Sequence, residues 1–218
     1  MKPRIYLLHA YRYSVAPCEE AFARLWPEAE AIRLLDEGLY ADAGADGSLP
    51  DNVVPRLNSL FRHCVLSGAK GIVFTGSTFG PAVEAAKPGI EVPLLKADEA
   101  MSDLAVRTGK RILMLATAKR AIPVIRRNLE NAARAAGVSS ELGEVWVEHA
   151  QAANNAGRAA EHDMLVAEAV SKHSAGWDVI VLGQMSMAPA RAKLPPDLAA
   201  RVLTSPDASV LRMKALLA

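Results

Sequence analysis

The segment Gly71-Ile-Val-Phe-Thr-Gly-Ser-Thr-Phe-Gly-Pro81 is a short apolar run that breaks off into small, hydroxyl-rich residues and then a proline. About half a chain later it has an approximate echo, Val179-Ile-Val-Leu-Gly-Gln-Met-Ser-Met-Ala-Pro189. Continuous apolar runs of this length suit strands buried on both faces of a parallel sheet. The ends of such strands are where open α/β sheets bind ligands. The chain therefore reads as carrying two related half-sites, neither of which contains a cysteine.

Working outward, strand-like runs lie at Arg4–His9, Ala31–Leu35, Gly71–Thr75, Arg111–Ala116, Glu144–Glu148 and Val179–Gly183, with a short one near Val92–Leu95. Helical periodicities fall between most of them, at Cys18–Trp26, Asp51–Leu66, Asp98–Arg107, Ile122–Ala136, Ala156–His173 and Pro206–Leu217. Strands alternating with helices predict a parallel sheet covered on both faces. Three markers recur at nearly one offset: Ile5 with Ile112 (112 − 5 = 107), Pro17 with Pro123 (123 − 17 = 106) and Ile72 with Ile180 (180 − 72 = 108). The expectation is an α/β chain of two pseudo-symmetric lobes, each a mostly parallel sheet flanked by helices. The boundary is expected around Lys96–Ala100, giving a first lobe over residues 1–97 and a second over 98–205. The last helix, about 206–218, is expected to pack back on the first lobe.

With 25 Lys+Arg against 24 Asp+Glu, the chain generates no global field to recruit nucleic acid or an acidic membrane surface. The apolar part of the N-terminal run is too short for a signal-peptide core, and no run approaches the roughly 20 apolar residues that span a bilayer. A cytoplasmic protein is expected. Cys18 and Cys64 form no metal-type spacing and no disulfide framework.

In the first half-site, Pro81 suits the first turn of a helix, so Gly76, Ser77, Thr78 and Gly80 form the loop that leads into it. Ser77 or Thr78 either caps that helix or faces a carboxylate or a developing oxyanion, and the two roles are compatible. In the second half-site the same offset sets Gln184 opposite Gly76 (184 − 76 = 108) and Ser186 opposite Thr78 (186 − 78 = 108), with Met185 between them. Gln184 donates and accepts hydrogen bonds but exchanges no proton near neutral pH. It either holds substrate or ties down the loop backbone.

The segments Thr75-Gly-Ser-Thr-Phe-Gly-Pro-Ala-Val-Glu-Ala85 and Val181-Leu-Gly-Gln-Met-Ser-Met187, the Glu161-His-Asp163 step and the duplicated layout resemble the aspartate/glutamate/hydantoin racemase superfamily. The resemblance spans essentially the whole chain. It implies an active site in the cleft between two lobes, a small carboxylic or amino-acid-like substrate, no cofactor and no metal. It also implies one cysteine just after the third strand of each lobe, the two thiols working on opposite faces of the substrate's α-carbon. Here those positions hold Gly76 and Gln184. Neither can move a proton, so the two-thiol mechanism is not expected. A glycine in the first position followed by hydroxyl residues is similar to arylmalonate decarboxylase, a member of the superfamily in which a carboxylate leaves and an enediolate is held by an oxyanion pocket. That relative keeps the second cysteine as proton donor, and Gln184 departs from it.

Other groups must replace the thiols. Cys18 sits at helical spacing with Phe22 and Leu25, and Cys64 with Leu57, Leu60 and Phe61, which favours the core for both. His9, at the end of the first strand, serves either as acid or base or as a loop-orienting group. Tyr11, Arg12, Tyr13 and Ser14 follow it and can line a pocket, with Arg12 either pairing a substrate carboxylate or solvated. From the second half, Thr117 can donate to an anion, Lys119 and Arg120 read as surface charges, and His149 is a rim candidate. His162 and Asp163 are adjacent on a helix and are expected to diverge.

The candidate catalytic residues are thus His9, Ser77 and Gln184. The candidate substrate-binding residues are Tyr11, Tyr13, Ser14, Gly76, Thr78, Thr117, Met185 and Ser186. The expected activity is a cofactor-independent isomerase or decarboxylase working through an enediolate. The rivals are a small-carboxylate-binding protein without catalysis and hydrolysis through Ser77 or Ser186, which lacks a Gly-x-Ser-x-Gly elbow. Apolar helix faces leave room for a homo-oligomer.

Overall fold

The computed structural model describes residues 2–44 and 48–218. They form two compact units, one of Met1–Ala97 with Ser209–Ala218 and one of Asp98–Ala208. The first unit runs β1 (Arg4–His9), α1 (Val15–Leu25), β2 (Glu30–Leu35), α2 (Gly38–Asp42), α3 (Val53–Leu66), β3 (Gly71–Phe74), α4 (Gly80–Ala86) and β4 (Leu94–Leu95). The second runs α5 (Glu99–Thr108), β5 (Arg111–Ala116), α6 (Ile122–Ala136), β6 (Glu141–Trp146), α7 (Ala150–Asn155), α8 (Ala159–His173), β7 (Val179–Leu182), α9 (Pro196–Ala199) and β8 (Val202–Thr204). Helix α10 (Ser205–Leu216) begins in the second unit and ends in the first.

Each unit is built on a parallel sheet, ordered β2-β1-β3-β4 in the first and β6-β5-β7-β8 in the second. The registers repeat as well, with Ile5 opposite Gly71 in one sheet and Ile112 opposite Val179 in the other. In both orders the chain leaves the first strand toward one edge and returns to its other side. The switch point therefore lies between β1 and β3, and between β5 and β7, at the strand C-termini. A 3-10 segment follows each of these four central strands, three residues long at Arg12–Ser14, Ser77–Phe79 and Lys119–Ala121 and nine at Met185–Lys193.

The central strands are apolar on both faces because both faces are covered. In the second sheet, Ile112, Met114, Val179 and Val181 pack with α5 and α6 residues such as Met101 and Leu129. Their alternates Leu113, Leu115, Ile180 and Leu182 pack with Val166, Val170 and Met187. In the first sheet, Tyr6, Leu8, Ile72 and Phe74 face Leu57, Phe61 and Val83. Gly71 has no room for a β-carbon, because Met213 of α10 and Ile5 occupy that space.

Several sequence expectations shift. The edge strand β6 is Glu141–Trp146 rather than Glu144–Glu148, because pairing along the whole of β5 holds exposed Glu141 and Glu144 in the ladder. The helix expected over Ala156–His173 begins at Ala159 and is preceded by α7, which Gly157 ends at φ 75° with its N–H on Asn154 O. Helix α1 starts at Val15, three residues before Cys18, and β4 is reduced to Leu94–Leu95. Strand β8 and helix α2 had no legible signal, each being too short for periodicity to register.

Met213 is fully buried on β3, so Met213→Ala is expected to lower stability by about 2–5 kcal/mol. Urea denaturation checks this as a lower midpoint at unchanged m-value.

Candidate functional site

In the first unit the two switch-point loops are joined by side chains. His9 ends β1, Ser14 closes the 3-10 turn after it, and Thr75 follows β3; they are 0%, 2% and 7% exposed. His9 Nδ1 lies 2.8 Å from Ser14 Oγ and 3.1 Å from Thr75 Oγ1, and the two hydroxyl oxygens are 2.9 Å apart. Ser14 Oγ also donates to Tyr11 O at 2.7 Å. Burial, with Arg33 adding a smaller electrostatic push, lowers the His9 pKa to about 4, so the imidazole is neutral at pH 7. Beside this core, Tyr11 meets Tyr13 and Tyr40 edge-on, and Tyr40 in turn meets Phe79. The Tyr40 hydroxyl is 3.2 Å from Thr78 Oγ1.

Gly76 has φ −100° and ψ 96°, which any residue adopts, so its backbone does not require glycine. Space does: a β-carbon there would lie 2.9 Å from both Phe74 Cε1 and Phe79 Cδ2, and 3.1 Å from Ala10 Cβ. Ser77 and Thr78 are half-buried. Neither caps α4, whose N-cap is Phe79 with no side-chain cap bond, because the 3-10 turn intervenes. The capping reading is therefore set aside.

In the second unit Gln184 joins the loops. Its Oε1 accepts from Thr117 N at 2.7 Å and Ala118 N at 3.1 Å, and the Thr117 hydroxyl is shared between Gln184 Oε1 at 3.0 Å and Gln151 Oε1 at 3.1 Å. Backbone N–H groups only donate, so this contact fixes the amide with its oxygen on the loop and its two N–H donors turned away. Trp146 Nε1 donates to Thr117 O at 3.2 Å, and Lys119 Nζ lies 5.1 Å from the Trp146 ring centroid. Met185 and Ser186 follow Gln184, both largely buried.

The remaining candidates resolve individually. Arg12 is in an exposed bidentate pair with Glu37, at 2.7 and 2.6 Å, so it is neither simply solvated nor unpaired. Cys18 and Cys64 are buried; desolvation raises the Cys18 pKa and pushes that of Cys64 up to about 12, so neither is a thiolate at neutral pH. His162 and Asp163 do not diverge as expected: Nδ1 and Oδ1 meet at 2.9 Å, close enough for adjacent side chains on one helix to pair. His149 is exposed, with φ 65°, at the start of α7. Among the described residues no group of three His, Cys, Asp or Glu side chains is arranged to hold a metal ion, and no helix is long and apolar enough to cross a membrane. Sequence reasoning did not single out Gln151 and Tyr40, in the short helices α7 and α2, Glu37, just before α2, or Trp146, at the end of edge strand β6, because elements this short or exposed carry little periodic signal.

Two outcomes follow from this geometry. Gly76→Cys is expected to overpack the Phe74–Phe79 contact and cost about 1–3 kcal/mol in chemical denaturation. The unfolded His9, near its ordinary 6.5, takes up a proton as pH falls that the folded imidazole refuses until about 4. The unfolded state thus binds more protons in that window, so His9 contributes full stability above it and loses it on acidification. Unfolding free energy is expected to fall by about 3 kcal/mol more across that window in the native chain than in His9→Asn, measured by denaturant titration at stepped pH.

The model of the family described as Asp/Glu/Hydantoin racemase matches residues 18–213. No curated protein matches the sequence. Among solved structures, the allantoin racemase from Klebsiella pneumoniae has a TM-score of 0.74 at 18% identity, covering 99% of this chain and 87% of that one. A glutamate racemase isoform from Bacillus anthracis gives 0.72 at 14%, covering 100% and 82%. An unliganded arylmalonate decarboxylase gives 0.61 at 17%, covering 98% and 92%. At these identities the structural likeness establishes the fold, and the duplicated parallel sheets agree with it. The family match runs from α1 into α10, and on that extent the chain belongs to the Asp/Glu/hydantoin racemase family.

Proposed function

We propose that this family member is a cofactor-independent enzyme acting on a small carboxylic or amino-acid-like substrate, an isomerase or decarboxylase working through an enediolate rather than by two thiols. The observation that carries this reading is Gln184. Its Oε1 is taken up by Thr117 and Ala118, so the group at the second thiol position is a fixed pair of N–H donors. Donors held in place before reaction stabilise an oxyanion without reorganising, and they move no proton. Ser186 follows within the same unit, and the corresponding loop of the first unit carries the hydroxyls of Ser77 and Thr78, groups that suit carboxylate oxygens. Loss of carbon dioxide from a malonate-like acid leaves an enediolate that takes up one proton, drawn from solvent water because neither Gly76 nor Gln184 titrates, a lighter demand than two-sided racemisation.

A second reading, a carboxylate-binding protein without catalysis, draws on the neutral, buried His9 and the two buried thiols. Hydrolysis is disfavoured because the serine bonded to an imidazole, Ser14, is buried and gives its proton to Tyr11 O.

Incubation with substituted malonates, hydantoins and dicarboxylic amino acids in deuterated water is expected to release carbon dioxide or place deuterium at the α-carbon. Gln184→Leu is expected to lower that turnover by about 10²-fold or more. Thermal stabilisation by these acids without turnover favours the binding protein. Folded protein that neither turns over nor is stabilised by any of them sinks both readings.

A further inference from the structure

We infer that His9 is a positioning residue held as the Nδ1–H tautomer, acting through Ser14 and Thr75 and carrying no proton to or from substrate. The assignment follows from counting protons. Tyr11 O is a carbonyl and only accepts, so the 2.7 Å contact from Ser14 Oγ uses the one proton that serine has. Toward its other neighbours Ser14 can then only accept. The 2.8 Å contact with His9 therefore requires a proton on Nδ1, and the 2.9 Å contact with Thr75 requires the threonine hydroxyl as donor. The 3.1 Å approach of Nδ1 to Thr75 Oγ1 is the second branch of the same N–H. Any reversal sets two lone pairs face to face at hydrogen-bond distance.

The network thus runs one way, from His9 and Thr75 into Ser14 and from Ser14 into Tyr11 O. A serine and an imidazole at this distance form an activated nucleophile when the serine donates. Here the imidazole donates, and the serine is not activated. The ring's basic nitrogen, Nε2, is shielded from solvent and has no hydrogen-bond partner, so a second proton on the ring would bury a charge without an acceptor. What His9 does control is geometry. It ends β1, while Ser14 and Thr75 belong to the two loops at the switch point, and Thr75 is the residue before Gly76, Ser77 and Thr78. One N–H, forked between two hydroxyls, sets the separation of the loop carrying Tyr11 and Tyr13 from the loop carrying Ser77 and Thr78. This deepens the proposed function by removing His9 as proton carrier, and rests on that reading only for what the loops bind.

The tautomer is read from the native protein, labelled with 15N-histidine, by long-range proton–nitrogen correlation at pH 7. The expected pattern for His9 is a protonated Nδ1 and an unprotonated Nε2. The opposite pattern, or an imidazolium, overturns the inference. His9→Asn sets an amide N–H where Nδ1–H stood, since both nitrogens are bonded to Cγ, whereas His9→Leu removes the donor. With any substrate of the malonate, hydantoin or amino-acid panel, Asn is expected to stay within about tenfold of native kcat/KM while Leu falls by more, and equal losses of about 10²-fold or more in both would assign proton transfer to His9 and overturn the inference. If no panel member is turned over, the proposed function fails alone. The inference is then judged by amide hydrogen exchange over residues 12–14 and 76–79, expected to accelerate in the Leu variant and return toward native rates in the Asn variant. Unchanged exchange in both variants overturns it.

Discussion

Each unit depends on closing the gap between the two loops that leave its central strands. In a parallel sheet those loops start side by side at the strand C-termini, where ladder pairing ends with Thr75 N–H on Leu8 O in one unit and Gly183 N–H on Leu115 O in the other. Beyond that point a single side chain bridges the two loops in each unit. Gln184 does so with one oxygen that takes two backbone N–H groups and a share of the Thr117 hydroxyl. His9 does so with one N–H forked between Ser14 and Thr75. The two solutions are chemically opposite, an acceptor in one unit and a donor in the other, and they come from opposite sides of the switch point. A duplicated fold has kept the constraint and changed the means.

The same constraint bears on the positions that the family resemblance gives to thiols. Gly76 is hemmed in by Phe74, Phe79 and Ala10, so the aromatic core of the first unit reaches up to the strand-end loop and takes the room that a β-carbon would need. Gln184 is spent on the Thr117–Ala118 backbone and keeps only its N–H donors for anything else. Packing at Gly76 and backbone satisfaction at Gln184 each leave the position without a titrating group. The remaining thiols, Cys18 and Cys64, face the core, where desolvation keeps them protonated.

Much of this was legible in the sequence. Central strands such as Gly71–Phe74 and Val179–Leu182 announce themselves because burial on both faces demands an unbroken apolar run. The repeat is visible for the same reason, as each core strand recurs at nearly one offset. Edge strand β6 was misplaced because it is exposed at positions on both faces and tolerates Glu141 and Glu144, which break the apolar run that a central strand shows. Candidate residues were found by position, as the residues that end a strand or follow it, and that rule selected His9, Thr117 and Gln184 together. It did not reach Tyr40, Gln151 or Trp146, which meet the loops from elements distant in sequence.

By itself, then, the sequence determined the alternation of strands and helices, the duplication, the two strand-end loops and the lack of cysteine in both. Those follow from local composition and spacing, which a linear string carries in full. Only the tertiary structure decided which groups meet within hydrogen-bond distance, that Gln184 turns its oxygen to the Thr117–Ala118 backbone, that Arg12 is paired with Glu37, and that His9 sits neutral with one nitrogen engaged and the other shielded. These depend on which atoms from remote segments arrive within about 3 Å of each other, a distance at which donors and acceptors are told apart and at which burial sets the charge of an imidazole.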